Sequence, residues 1–248
     1  MVQADLTHWE ALHRQETASW WHVNKRNLVF TLLEGHLRRS VRVLVMGLGG
    51  GRLVRLLARQ GWEVFAADRL FEAARFAREN DVPRALVCSA DAGWPFREGA
   101  FHALLMLDIL AQSADPAACL WEAWRILAVG GCLVLTVPAY PLLYARRDRA
   151  LGHRRRYTRR AFKKLLEGVG FRVIRLSYSN LAGLLPAVLL RGRDLLFRPP
   201  VVEPGVPDVP QPLNALLALW GRLESRIVWG VGLPLGLSLV ALVEKRED

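Results

Sequence analysis

The sequence predicts an α/β protein: a mostly parallel sheet of seven strands, with helices on both faces and a helical insertion between the last two strands. Three observations lead there. Short apolar runs alternate with helix-length segments, the pattern of a parallel sheet whose connections are helices. A glycine turn follows the first run, and an acid ends the second. The chain has 248 residues and is 52% hydrophobic, enough to bury one large core and too apolar for disorder.

The elements follow in order. Residues 4–37 have helical spacing, with Leu28, Leu32 and Leu33 on one face and Lys25 and Arg26 just before them. Trp20-Trp21-His22 interrupts this stretch and divides it into two helical segments. Strands are expected at residues 41–46, 62–67, 85–90, 102–108 and 132–138. Thr158 is placed to cap a helix that ends near Gly168. Residues 171–178 alternate as a sixth strand, and residues 236–244 form a seventh. Roughly 55 residues lie between these two, too many for a hairpin. They hold a helix over 181–197, a linker with Pro199, Pro200, Pro204, Pro207, Pro210 and Pro212, and a second helix from Leu213. In that second helix Leu213, Leu216, Leu217, Trp220, Leu223 and Ile227 share a face, so the insertion suits a substrate cover, a partner surface or a membrane-contact element. The expected organisation is an N-terminal helical cap (1–40), a core (41–180), the insertion (181–235) and a final core strand (236–248).

Composition narrows the function classes. Cys88, Cys119 and Cys132 are widely spaced with no Cys-x-x-Cys pair, which fits a reducing cytoplasm and no structural zinc. The N-terminus lacks a signal-peptide layout. The longest uncharged run, Ile227 to Val243, is shorter than a membrane span and contains Pro234 and several glycines. A helix end, a turn and a buried strand account for it. The formal net charge of +11 attracts acidic surfaces or substrates.

The chemistry starts at Val41-Arg42-Val43-Leu44-Val45-Met46-Gly47-Leu48-Gly49-Gly50-Gly51-Arg52. Glycines let the chain turn sharply and let a ligand approach the backbone. The helix that begins at about Arg52 offers free N–H groups. Asp68 ends the next strand, about 20 residues after the first glycine, where a carboxylate accepts both hydroxyls of a ribose. The expected ligand is therefore adenosine-like. A dinucleotide fold would place its third glycine at Arg52, and no hydride-site partner is evident, so a nicotinamide-dependent oxidoreductase is disfavoured.

The Gly47, Gly49, Gly51 spacing resembles motif I of the class I S-adenosylmethionine-dependent methyltransferases, in particular a bacterial type 11-like subgroup. Ser89-Ala90-Asp91-Ala92-Gly93-Trp94-Pro95-Phe96, residues 101–110, Arg125 to Gly131, Leu151 to Thr158 and Leu233 to Leu239 are similar to further stretches of that family. The resemblance covers essentially the whole chain. It implies a Rossmann-like methyltransferase fold and S-adenosyl-L-methionine as cofactor, held by Gly47, Gly49, Gly51, Asp68, Arg69, Asp91, Ala92 and Asp108. Asp68 matches the ribose acid, and Asp91, in a stretch one residue short, matches the acid that contacts the adenine amino group. The sequence departs from the family at Val45, where motif I opens with an acid, at His102, and at Ala111-Gln112 in place of Glu-His. A catalytically silent cofactor-binding protein is the alternative that these departures raise.

Arg146 to Lys164 carries ten Lys or Arg residues and the acid Asp148. Either this is a solvated helix face with its loop, or it receives an acidic group. Tyr140, Tyr144 and Tyr157 are close by, weak support for nucleic acid, which stays open. A small-molecule or lipid-like substrate of anionic character fits better, with peripheral contact at the inner membrane as a further expectation for a cytoplasmic protein. His153, Tyr157 and Asp108 are the candidates for removing a proton from an oxygen or nitrogen acceptor. The paired tryptophans either staple the N-terminal segment to the core or form a lid edge near the methyl donor.

Overall fold

The computed structural model describes residues 6–34, 36–37, 41–197 and 209–246. In chain order the elements are α1 (Leu6–Ala18), α2 (Trp20–Leu33), β1 (Arg42–Met46), α3 (Arg52–Ala58), β2 (Glu63–Asp68), α4 (Phe71–Glu79), β3 (Ala85–Val87), β4 (Phe101–Leu107), α5 (Ile109–Gln112), α6 (Pro116–Ile126) and β5 (Leu127–Pro138). A 3-10 turn (Pro141–Leu143), α7 (Arg146–Ala150), α8 (Arg159–Gly168), β6 (Phe171–Ser179), α9 (Leu184–Phe197), α10 (Gln211–Gly230) and β7 (Ser238–Lys245) follow. The seven strands form one sheet in the order β3-β2-β1-β4-β5-β7-β6. The first five pair in parallel; β7 runs antiparallel to both β5 and β6. This is the mostly parallel, seven-stranded architecture expected from the sequence.

Strand alternation builds two cores from alternate residues of the same strands. Leu44, Met46, Leu104, Met106, Leu133 and Leu135 face one layer, which Leu120 and Ile126 of α6 and Phe162 and Leu166 of α8 complete. Val43, Val45, Leu105, Val134 and Leu242 face the other, closed by Leu28, Leu32 and Leu33 of α2 with Val54 and Leu57 of α3. Leu32, Leu57, Leu104 and Phe162 have no exposed surface. Each such burial is worth about 1.5–3 kcal/mol, which is why these positions decide the fold.

Three elements differ from the sequence expectation. The third strand ends at Val87 rather than at residue 90, because Cys88 N donates to the Asp68 carbonyl and the chain then turns away. The fifth begins at Leu127, and its register with β4 shifts between Phe101 and Ala103. The apolar face expected on the second insertion helix is only partly covered: Leu213, Leu216 and Leu223 are exposed and Leu217, Trp220 and Ile227 half-buried, while Gly221, Glu224, Ser225 and Val228 are buried. Small residues win because α10 lies close against α2; a Cβ on Gly221 would overlap the Asn24 side chain. Pro199, Pro200, Pro204 and Pro207 of the expected linker lie outside the described residues.

The N-terminal break falls at Ser19, one residue before the tryptophans. Asn214 of α10 holds it: its Oδ1 accepts from Trp20 N at 2.9 Å and its Nδ2 donates to the Ala18 carbonyl at 2.9 Å. His22, on α2, is half-buried beside Lys25 and Arg26, and desolvation with those charges pushes its imidazole down from 6.5 to about 4. A histidine held neutral in the fold and free to protonate when unfolded stabilises fully above 6.5, and this contribution drains as pH falls toward about 4. The melting temperature is expected to drop across that window, and His22→Gln to flatten the drop; equal slopes for both proteins would refute this assignment.

Candidate functional site

The carboxyl ends of β1, β2 and β4 meet at the glycine loop, where ligands of open parallel sheets bind. Gly47, Gly49 and Gly51 have φ of +86°, +52° and +75°, conformations a side chain rarely adopts. Space is also short: a Cβ on Gly47 would lie 2.6 Å from Ile109 Cδ1, and one on Gly49 would overlap the Glu16 carboxylate. The loop is tied to the next strand. Gly47 N donates to the Ala67 carbonyl at 2.7 Å, and Leu48 N donates to Asp68 Oδ2 at 2.9 Å. Asp68 Oδ1 accepts from Leu70 N at 3.0 Å. Leu70, Phe71 and Val87 leave exposed apolar surface at this edge, with Val87 directly opposite Asp68 in the β2–β3 register. Arg69 is exposed here as well.

Glu16 of α1 reaches across the loop. Its Oε1 accepts from Gly50 N at 2.8 Å and its Oε2 from Arg52 N at 3.2 Å, so an anion already sits on the free N–H groups that open α3. Burial raises this carboxyl above its usual range, and the two backbone bonds offset part of the rise.

Asp108 follows β4 in the left-handed region, φ 62°. Its two oxygens are both engaged: Oδ2 pairs with Lys25 Nζ of α2, and Oδ1 accepts from Thr136 Oγ1 at 3.0 Å. Burial acts to raise its pKa, yet the charges of Lys25 and His153 and the Lys25 and Thr136 hydrogen bonds hold it below the ordinary carboxylate value. A carboxylate so held is a weak proton acceptor and a strong anchor for an ammonium group. Lys25 was not singled out as a site residue from sequence. The signal was there: it shares a helix face with Leu28 and Leu32, a charge in line with a buried stripe. Glu16 carried no such local signal.

Beside this pair lies a cavity of about 30 Å³, between α2, α10 and the ends of β5 and β6. Trp20, Asn24, Lys25, Thr136, Asn180 and Glu224 line it. The tryptophans thus do more than interrupt a helix: Trp20 walls this cavity, and Lys25 Nζ lies 5.7 Å from the centre of the Trp21 ring.

The other expected site residues are engaged with other partners. Tyr157 is buried, with its hydroxyl donating to the Leu110 carbonyl at 3.2 Å, and burial pushes its pKa up to about 12. His153 is 9% exposed; its Nδ1 lies 3.4 Å from Asp148 Oδ1 and its carbonyl accepts from Tyr144 Oη. Asp91 and Ala92 are exposed on the turn after β3, where Asp91 Oδ1 accepts from Ser113 Oγ at 2.6 Å and Ala114 N at 2.9 Å.

Much of the basic segment is spent on backbone carbonyls. Arg154 donates to Gln112 O, Arg155 to Ser113 O and Ala114 O, Arg156 to Ala139 O, and Arg159 to Leu176 O. The main chain of Ala111-Gln112 is the dock for this segment, since Arg154 N also donates to the Ala111 carbonyl at 2.8 Å. His102 Nδ1 accepts from Arg42 N at 3.1 Å and so ties β4 to the start of β1.

Residues 44–135 match the family described as methyltransferase domain, the stretch from β1 to within β5. Over that stretch the chain is similar to a methyltransferase domain. An uncharacterized protein of Mycobacterium tuberculosis is 36% identical over 140 residues, 53% of this chain and 47% of that protein. The chain thus spans about half the length of the curated relatives it matches. Among solved structures, a chain from the complex of the Haloferax volcanii Trm112 methyltransferase activator with its methyltransferase candidate is similar at TM-score 0.63 and 18% identity, covering 100% of this chain and 99% of that one. A SAM-dependent methyltransferase from Archaeoglobus fulgidus is similar at TM-score 0.59 and 15% identity, covering 94% and 98%. At these identities the structures speak for the fold. The methyltransferase domain agrees with the expected cofactor, S-adenosyl-L-methionine. Among the described residues no helix is long and apolar enough to cross a membrane, and no cluster of His, Cys, Asp or Glu could hold a metal ion.

Proposed function

We propose that this chain is an S-adenosyl-L-methionine-dependent methyltransferase acting on a small-molecule acceptor. The observation that supports the reading is the hydrogen bond from the glycine loop to Asp68, which sets a carboxylate beside a glycine-rich turn. Gly47, Gly49 and Gly51 would line the methionine and ribose portion, with Asp68 taking the ribose hydroxyls. Arg69, Leu70 and Phe71 would border the adenine, and Asp91 and Ala92 would meet its amino edge. Asp108 would close the site toward the acceptor. The sulfonium supplies an activated methyl group; the protein's part is to align the acceptor with it and exclude water, which accounts for most of the rate in such displacements. The alternative, a cofactor-binding protein without catalysis, is not favoured.

Calorimetric titration with S-adenosylmethionine and S-adenosylhomocysteine tests the reading. Binding is expected, with the fold stabilised by about 2.7 kcal/mol at 100 times the dissociation constant. A folded protein that binds neither refutes it. Glu16 makes a further prediction on the same experiment. It occupies N–H groups that a cofactor carboxylate would seek, so Glu16→Gln, a weaker acceptor, is expected to tighten homocysteine-product binding several-fold, roughly 1 kcal/mol. Weaker binding by the variant would instead make Glu16 part of the cofactor's grip.

A further inference from the structure

Helix α10 is pinned in place, and its outer face is apolar. Asn214 Oδ1 accepts from Trp20 N at 2.9 Å, Asn24 Nδ2 donates to the Leu217 carbonyl at 3.0 Å, and Glu224 accepts from Leu181 N at 3.0 Å. Gly221, Glu224, Ser225 and Val228 face inward, so these bonds fix which side is left outside. That side carries Leu213, Leu216, Leu219 and Leu223, spaced three and four residues apart and each between 44% and 63% exposed. Pro212 and Ala215 are exposed with them. Single exposed leucines are ordinary on a protein surface, but a stripe of them along one helix marks a contact. The preceding helix of the insertion, α9, adds exposed Leu185, Val188 and Leu189.

The charge on this face has one sign. Arg222 and Arg226 are exposed one helical turn beyond Leu219 and Leu223, and neither has an ion pair or hydrogen bond among the described residues. The acid of α10, Glu224, is buried against Asn180 N, Leu181 N and Trp220 Nε1. The face thus offers unpaired guanidiniums beside leucines and no carboxylate. A second copy of this chain would present the same face, with no acid for those arginines to meet. An anionic lipid layer supplies both complements, phosphates for guanidinium and acyl chains for leucine. The long arginine stems let the charges stay at headgroup level while the leucines go deeper. Arg154, Arg155, Arg156 and Arg159 are by contrast held on backbone carbonyls, so the lipid contact shifts from the basic segment to α10.

We propose that α10 docks this protein peripherally on an anionic lipid bilayer. Leu213, Leu216, Leu219 and Leu223 enter the boundary between headgroups and acyl chains, and Arg222 and Arg226 pair with lipid phosphates. The helix lies in the plane of the surface and does not span it, in keeping with the absence, among the described residues, of a helix long and apolar enough to cross a membrane. The proposal stands independently of the methyl-transfer reading, because no residue of the glycine loop, Asp68 or Asp108 takes part in it.

The test is co-flotation of the full chain with vesicles of equal parts phosphatidylglycerol and phosphatidylcholine, compared with vesicles of phosphatidylcholine alone. The anionic vesicles are expected to bind at least about tenfold more tightly, and added salt to weaken that binding. Arg222→Gln combined with Arg226→Gln should weaken it roughly 25-fold, about fivefold for each charge. Leu216→Ser, Leu219→Ser and Leu223→Ser together should weaken it at least about a hundredfold, and because these side chains are exposed the melting temperature should hold. The control is Arg160→Gln combined with Lys164→Gln, which removes the same charge from exposed positions of α8 and should change binding less than about twofold. No flotation with anionic vesicles, an equal loss in the α8 control, or a leucine variant that binds like wild type each overturns the proposal. A dimer that sediments as such, is dissolved by the leucine substitutions and binds no lipid also overturns it, and gives the face to a second copy.

Discussion

Replacing Asp68 by alanine is expected to weaken S-adenosylmethionine binding about a hundredfold, which corresponds to about 2.7 kcal/mol. Two losses combine. Hydrogen bonds to a charged group are worth about 1.5–3 kcal/mol each, and a ribose offers two hydroxyls to this carboxylate. The second loss is internal: Asp68 also receives Leu48 N and Leu70 N, so the alanine variant frees both the glycine loop and the turn that precedes α4. Asp68→Asn separates them, because the amide oxygen still accepts one backbone N–H while the charge is gone. Calorimetry should rank wild type above Asp68→Asn above Asp68→Ala. An alanine variant that binds within threefold of wild type would remove Asp68 from the ribose role.

Asp148→Ala is expected to destabilise the fold by about 3–5 kcal/mol, the usual result of stripping one partner from a buried pair. Asp148 is 1% exposed; it pairs with Arg156 Nε at 2.8 Å, faces His153, and receives Ala145 N at 2.9 Å. Burial acts to raise its pKa, but bonding to His153 and Arg156 brings it below the ordinary carboxylate value. A carboxylate depressed in the fold stabilises above its unfolded pKa and loses that contribution as pH falls through its folded value. The gap between wild type and variant should therefore be full at pH 7 and close only in strong acid. In a thermal melt at pH 7 the loss corresponds to about 10 °C for a chain of this size. Adding Arg156→Met to the variant should recover part of it, because the uncompensated guanidinium is then gone; a double variant less stable than the single one would contradict this account.

The strands were legible because strands buried on both faces read as short apolar runs, and Val43 to Met46 or Leu104 to Met106 can be little else. The glycine loop and Asp68 were legible because they lie within one strand–helix–strand unit. The orientation of α10 was not, since a stripe of leucines predicts burial by pattern, whereas the close approach to α2 selects Gly221 and Ser225 instead. The contacts of Asp108 and of the glycine loop with the N-terminal helices were hidden for a similar reason. Lys25 meets Asp108 across 83 residues of chain, and Glu16 meets Gly50 across 34, pairings that no local spacing encodes. The basic segment was legible as charge but not as bonding: charge counts cannot separate arginines that face solvent from arginines that cap carbonyls.

The place of β7 between β5 and β6 has a consequence for biosynthesis. Because it is added after both its neighbours, the strand that joins them is the last of the seven to leave the ribosome. Until then β5 and β6 each carry an open edge, one of them at the rim of a finished parallel sheet, and such edges invite pairing with other chains. Sheet closure thus waits for the last-made strand and joins segments of high sequence separation, and it is slow by that fact. Expression at lower temperature, or with a chaperone that shields extended segments, should raise the soluble yield of this protein more than it raises that of a fold whose sheet closes in chain order.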